Sequence, residues 1–160
     1  MPRALVFCLL ALTVAGCGGP SPELDKLVRV DDVVTGWFDA GATDDGKNKI
    51  VPSISLKLTN TSSETLGGVQ LNCIFRRVGD PEESSTALVR AIDRDGIEPG
   101  KASAPVVVRG SQGYTGPQTT IQLLQHRLFV DFKVDVFAKH GSATWVKLGE
   151  FRIDRQLLTR

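Results

Sequence analysis

A period of two runs through this chain and limits what it can fold into. Across residues 53–58 the apolar side chains Ile54, Leu56 and Leu58 alternate with polar ones. Val69, Leu71, Cys73 and Phe75 repeat the pattern. Val130, Phe132, Val134 and Val136 form a third set, with Asp131, Lys133 and Asp135 opposite. Successive side chains of a strand point to opposite faces, so each set lines one side of a sheet. One-sided alternation of this kind points to antiparallel sheets with a solvated face. The stretch 128–138 is long enough for a central strand. Val28, Val30 and residues 33–38 predict a first strand with a break near Asp31 and Asp32. Residues 87–92, 104–108 and 144–153 supply three more.

Turn signals separate these runs. They lie at residues 44–46, 60–63, 79–81, 95–96, 99–100 and 140–142, and each holds a residue that tolerates positive φ or a proline that fixes φ. About seven strands with turns at short intervals predict an all-β, two-sheet antiparallel sandwich. Residues 117–126 break the alternation. Pro117 can open a helix there, and Ile121 and Leu124 are three apart, so one short helix is expected near residues 117–126.

Composition narrows the function classes. Of 160 residues, 41% are apolar and 23% are charged, and the formal charge is +1. Disorder needs lower hydrophobicity and a larger net charge. Nucleic-acid binding needs a positive surface that this balance does not provide, so no nucleic-acid partner is expected. Only one long apolar run exists, which excludes a membrane protein with several spans.

That run is N-terminal. Arg3 supplies a positive charge, and the apolar residues 4–12 are too few to cross about 30 Å of hydrocarbon. Val14, Ala15 and Gly16 then lead directly into Cys17. This order of an aliphatic residue, two small residues and a cysteine resembles the bacterial lipobox. The resemblance implies that the Cys17 thiol receives a diacylglycerol, that residues 1–16 are removed as a signal peptide, and that the new amine is acylated. Two or three acyl chains hold a protein stably on a bilayer where one does so only marginally. Residues 17–26 read as the lipidated terminus and a tether, since Gly18, Gly19, Pro20 and Pro22 support neither helix nor strand. Residues 27–160 read as the sandwich domain. In enterobacterial lipoproteins an aspartate after the cysteine favours the inner membrane. Gly18 stands there, which favours the periplasmic face of the outer membrane in a Gram-negative source. Once Arg3 leaves with the leader, eighteen basic side chains meet eighteen acidic ones.

A second resemblance lies in the body. The run Val51-Pro52-Ser53-Ile54-Ser55-Leu56-Lys57-Leu58-Thr59-Asn60-Thr61-Ser62, with the alternating strand at 69–75, looks like the opening of bacterial FxLYD/LEA14-like domains. Glu98-Pro99-Gly100-Lys101 is similar to the turn those domains place before a following strand. The likeness covers residues 27–109, without the Phe-x-Leu-Tyr-Asp signature itself. It implies an immunoglobulin-like sandwich and a module serving envelope or interaction roles, not an activity.

Chemistry is sparse. Cys8 leaves with the leader and Cys17 is lipidated, so Cys73 is alone in the mature chain and reads as a buried, inert thiol. His126 and His140 have no metal-ligand spacing, and no Cys-x-x-Cys occurs, so no metal and no cofactor is expected. Asp93-Arg94-Asp95-Gly96 places its glycine too early for a calcium loop and reads as a turn. Residues 110–116 lack the spacing of a phosphate loop. They read instead as a flexible loop that leaves Tyr114, the single tyrosine, free to contact a partner. Gly113, Tyr114, Thr115 and His126 are therefore the candidate binding residues. Trp37, Phe38 and Trp145 read as core. The absence of a catalytic constellation predicts a non-enzymatic envelope lipoprotein with a protein partner. The competing reading is a small-ligand binder that uses residues 110–116 as a lid.

The lipobox resemblance makes a direct prediction. Cys17→Ser should accumulate as unprocessed precursor or as protein released from the membrane fraction. Normal processing and membrane retention of this variant would contradict lipid attachment.

Overall fold

The computed structural model describes residues 23–158, so Cys17, the leader and the tether up to residue 22 lie outside the described residues. Within them the alternating segments become eight strands. A 3₁₀ turn, Leu24–Lys26, leads into β1 (Val28–Ala42), β2 (Asn48–Asn60), β3 (Val69–Arg77) and β4 (Glu83–Ile92). Then come β5 (Val106–Arg109), β6 (Tyr114–Gly116), helix α1 (Thr120–Leu124), β7 (Phe132–His140) and β8 (Val146–Arg152). One sheet has the order β1-β2-β5, with β6 also on β2, and the other has the order β4-β3-β7-β8. Every pairing in the named ladders is antiparallel. The chain crosses between sheets after β2, after β4 and after β6. The resulting arrangement is an immunoglobulin-like sandwich whose fourth strand has joined the second sheet.

The core follows the sequence pattern closely. Val69, Leu71, Cys73 and Phe75 of β3 are fully buried, and they face Ile54, Leu56 and Leu58 of β2 across the sandwich. Cys73 pairs in register with Val136 and Phe75 with Val134, so neighbouring strands present the same face. Pro52 sits inside a central strand, which normally costs a ladder bond. Its carbonyl accepts from Gly110 N–H at 2.8 Å. The Pro52 nitrogen lies on that same side and cannot return the bond to Gly110, so the β2–β5 ladder stops at the Ser53–Arg109 pair.

The differences from the sequence pattern have physical causes. The break expected near Asp31 and Asp32 is a bulge in a continuous strand, with the register shifting between Asp31 and Val34 and Asp32 at φ 50°. Strand β7 begins at Phe132, not at Leu128. Phe129 turns inward and is buried, while Leu128 and Val130 are exposed, so the apparent alternation through Val130 does not continue the strand. The helix is shorter than residues 117–126. Thr119 is its N-cap, and a capping box pairs Thr119 with Gln122. Pro117 lies outside it.

Two polar residues hold the architecture. Asn60 is fully buried. Its side-chain amide donates to the Glu64 and Ile97 carbonyls, and its oxygen accepts from the Ser62 N–H and hydroxyl. The Asn60-Thr61-Ser62 turn thus ties the β2–β3 and β4–β5 connections together. Asp135 lies on the outer face of its sheet, as the alternation predicts, yet it is buried under the long side chains of Arg76 and Lys147. Burial pushes its carboxyl up, but Lys147 at 2.6 Å and the Arg76 guanidinium outweigh that and hold it below the usual carboxylate range.

Candidate functional site

The candidate residues cluster at the pole opposite the start of β1. Gly113 brings the chain against β2 so closely that an added methyl would lie 1.9 Å from the Ile50 carbonyl oxygen. Here glycine serves close approach of two backbones, not freedom of motion. The contact sets β6, in which Tyr114 pairs with Ile50 and Gly116 with Asn48.

Strand β6 overturns the expectation of a flexible loop with a free aromatic. The Tyr114 ring is half-buried, with centroids 4.6 Å from Phe129, 5.6 Å from Trp37 and 6.1 Å from Phe132. Its hydroxyl donates to the Val130 carbonyl at 3.0 Å and accepts from the Val130 N–H at 2.9 Å. Tyr114 therefore replaces a missing strand partner for the segment that leads into β7. These tilted and edge-on ring pairs are of the kind that contribute about 0.5–1.5 kcal/mol each beyond burial.

The helix completes the site. Leu123 and Leu124 are buried, while Ile121 is exposed, so only one side of this single turn packs inward. His126 follows the helix on the surface. Its backbone N–H donates to the Leu123 carbonyl, and its Nδ1 accepts from the Leu128 N–H at 3.2 Å. A pocket of about 170 Å³ forms between Tyr114, Thr115, Gln118, Leu123, His126, Leu128 and Phe129. Three of the four sequence candidates thus meet in one place. Gly113 does not line the pocket and acts through the backbone. The volume is below the roughly 300–1,000 Å³ usual for a small-molecule site. Thr115, Gln118 and His126 supply its polar groups, and none forms a nucleophile–base pair with another.

Sequence reasoning missed the exposed apolar surface beside this pocket. Leu128 is 70% exposed, Ile121 57% and Val130 41%. A shallow groove continues along Ile121, Leu124, Gln125, Arg155, Gln156 and Leu157. The rim is basic. Arg155 lies 4.8 Å from the centre of the Phe129 ring, and both Arg155 and Arg152 pair with Asp131. These guanidiniums, Arg155 foremost, hold the Asp131 carboxyl below its usual range. Arg127 is exposed beside Leu128. The only legible signal for this surface was Leu128 and Val130 flanking a core aromatic.

The remaining candidates lie elsewhere. Cys73 is fully buried and its thiol is pushed up to about 12 by burial, so it cannot act as a thiolate near neutral pH. Asp93 closes a tight turn by accepting the Gly96 N–H on its backbone carbonyl. His140 is exposed at the end of β7. Among the described residues no group of three or more His, Cys, Asp or Glu is placed to hold a metal ion. Comparison with protein-family models, curated proteins and solved structures finds no match to this chain.

The close approach at Gly113 is testable by stability. Gly113→Ala should lower the unfolding free energy in urea by about 1–3 kcal/mol or more, as overpacking does. Gln112→Ala, at an exposed neighbour, should stay within about 0.5 kcal/mol of wild type. Equal stability of both variants would contradict the packing of β6 on β2.

Proposed function

We propose that this chain is a lipid-anchored cell-envelope protein that acts without catalysis, as an interaction or accessory module in envelope assembly or transport. The bilayer holds it through Cys17, and the pole around α1 meets a protein partner. The observation that carries this reading is that exposed Leu128 and Ile121 line the pocket and the groove at this end of the domain, with exposed Val130 bonded to Tyr114 of the pocket. Exposed large apolar side chains scattered singly are ordinary, whereas a contiguous group with a polar rim marks an interaction surface. Strands β1 and β2 run the length of the sandwich, so this end stands roughly 40 Å from the start of β1. Cys17 precedes β1 in the chain and so lies toward the other end. The basic rim at Arg127, Arg152 and Arg155 suits a partner with an acidic edge. In a Gram-negative source the Gly18 reading favours the periplasmic face of the outer membrane. The likeness of residues 27–109 to FxLYD/LEA14-like domains agrees with a binding module.

A second reading, small-ligand binding, draws on the pocket of Tyr114, Thr115 and His126. Strand β6 is pinned to β2, so residues 110–116 would form a wall there and not a lid.

Photo-crosslinking in intact cells separates the two. A photoreactive residue at position 128 should trap a defined envelope protein, and Ile121→Asp should abolish that product without changing the melting temperature. No product at position 128, with a rise in melting temperature on adding a small-molecule extract, would favour the ligand reading and overturn the first.

A further inference from the structure

The pole next to the tether carries its own surface. Glu23, Leu24 and Leu27 line one cavity, about 940 Å³, together with residues 140–147 of the β7–β8 hairpin. Gly141 N–H donates to the Gly68 carbonyl and fixes the hairpin's base on that end of the sandwich. Trp145 lies half-buried in this lining. The Lys139 ammonium sits 5.0 Å from the centre of its ring. The tip at Ser142, Ala143 and Thr144 is small and exposed.

Chain length decides what this pole faces. Cys17 and Glu23 are six residues apart, and a fully extended chain gains at most about 3.6 Å per residue, so Glu23 stays within roughly 22 Å of the lipidated sulfur. The hairpin lines one cavity with Glu23, so its reach from the sulfur exceeds that bound only by the width of the cavity. Tryptophan is enriched where a bilayer meets water, because its ring is apolar and its N–H is polar. A lysine beside it can lay its methylenes along the ring and keep its ammonium among headgroups.

We propose that the β7–β8 hairpin seats on the headgroup layer of the same membrane that holds Cys17, with Trp145 inserted at the interface and Lys139 above it. This contact rests on the lipid-anchor reading and adds an orientation to it. Lipid at Cys17 limits the distance of the domain from the bilayer and does not choose the face turned toward it. A seated hairpin makes β1 and β2 stand away from the bilayer, with the α1 pole outermost. The contact adds to the acyl chains and does not replace them.

Two tryptophans make the test specific, because Trp37 is fully buried near the opposite pole and serves as the internal reference. The full lipidated protein is reconstituted into phosphatidylcholine–phosphatidylglycerol vesicles with or without brominated acyl chains, and flotation is measured beside fluorescence. Brominated lipid should quench up to roughly half of the emission, and Trp145→Phe should remove that quenching while still floating. A bimane on Ser142→Cys, at an exposed position that carries no packing burden, should shift to the blue in the same vesicles. Protein that floats but shows neither quenching nor a bimane shift overturns the seated hairpin and leaves the anchor standing. Protein that does not float overturns both.

Discussion

Burial of Trp37 between the sheets is the constraint on which one whole end of this molecule depends. Its indole is fully buried and meets Phe129 at 4.9 Å and Phe132 at 5.3 Å, both edge-on, with Tyr114 beside them. Its backbone is used as well. The Trp37 N–H donates to the Gln156 carbonyl at 2.8 Å, and its carbonyl accepts from the Leu158 N–H at 2.9 Å. Gly36 makes room for that tail, since a methyl there would lie 2.7 Å from the Leu158 side chain. Strand β6, the segment between α1 and β7, and the C-terminal tail therefore converge on one residue of β1. None of the three has a long ladder of its own, so each relies on this shared cluster.

That convergence explains why the candidate site looks as it does. Phe129 must turn inward to reach Trp37, and this forces its neighbours Leu128 and Val130 outward. The exposed apolar group is thus the geometric counterpart of the buried aromatic cluster. The opposite pole is built by different means, from the Asn60 amide and the β7–β8 hairpin. A domain with balanced charge has no long-range electrostatic reason to orient on a membrane. In the proposed reading, position comes from lipid at Cys17 and from short-range contacts such as Trp145 at the interface.

Much of the fold was legible because a buried face on a strand demands strict alternation. The sets at 54–58 and 69–75 became the cores of β2 and β3 with their faces as expected. The limits of that signal show at residues 128–138. Val130 has the right spacing for the strand but lies before it, since a two-residue period cannot report where pairing starts. Strand β6 was hidden because three residues hold no period at all. Glycine misled most. Gly113 reads as freedom in the sequence, but its use is contact with the Ile50 backbone, and the two uses look alike without the fold. One signal was present and unused, the Thr119-x-x-Gln122 capping box, which marks the helix start more sharply than Pro117 does. Tyr114, Thr115 and His126 do meet, although they meet through packing and not through a shared loop.

The most direct measurement of this account is native-state hydrogen exchange on Trp37→Leu. If Trp37 unites the three segments, amides at 114–116, around 130 and at 156–158 should lose protection together, while β3 and β7 keep theirs. Independent opening of those segments, or unchanged protection in all of them, would contradict the claim that one buried indole closes this end of the sandwich.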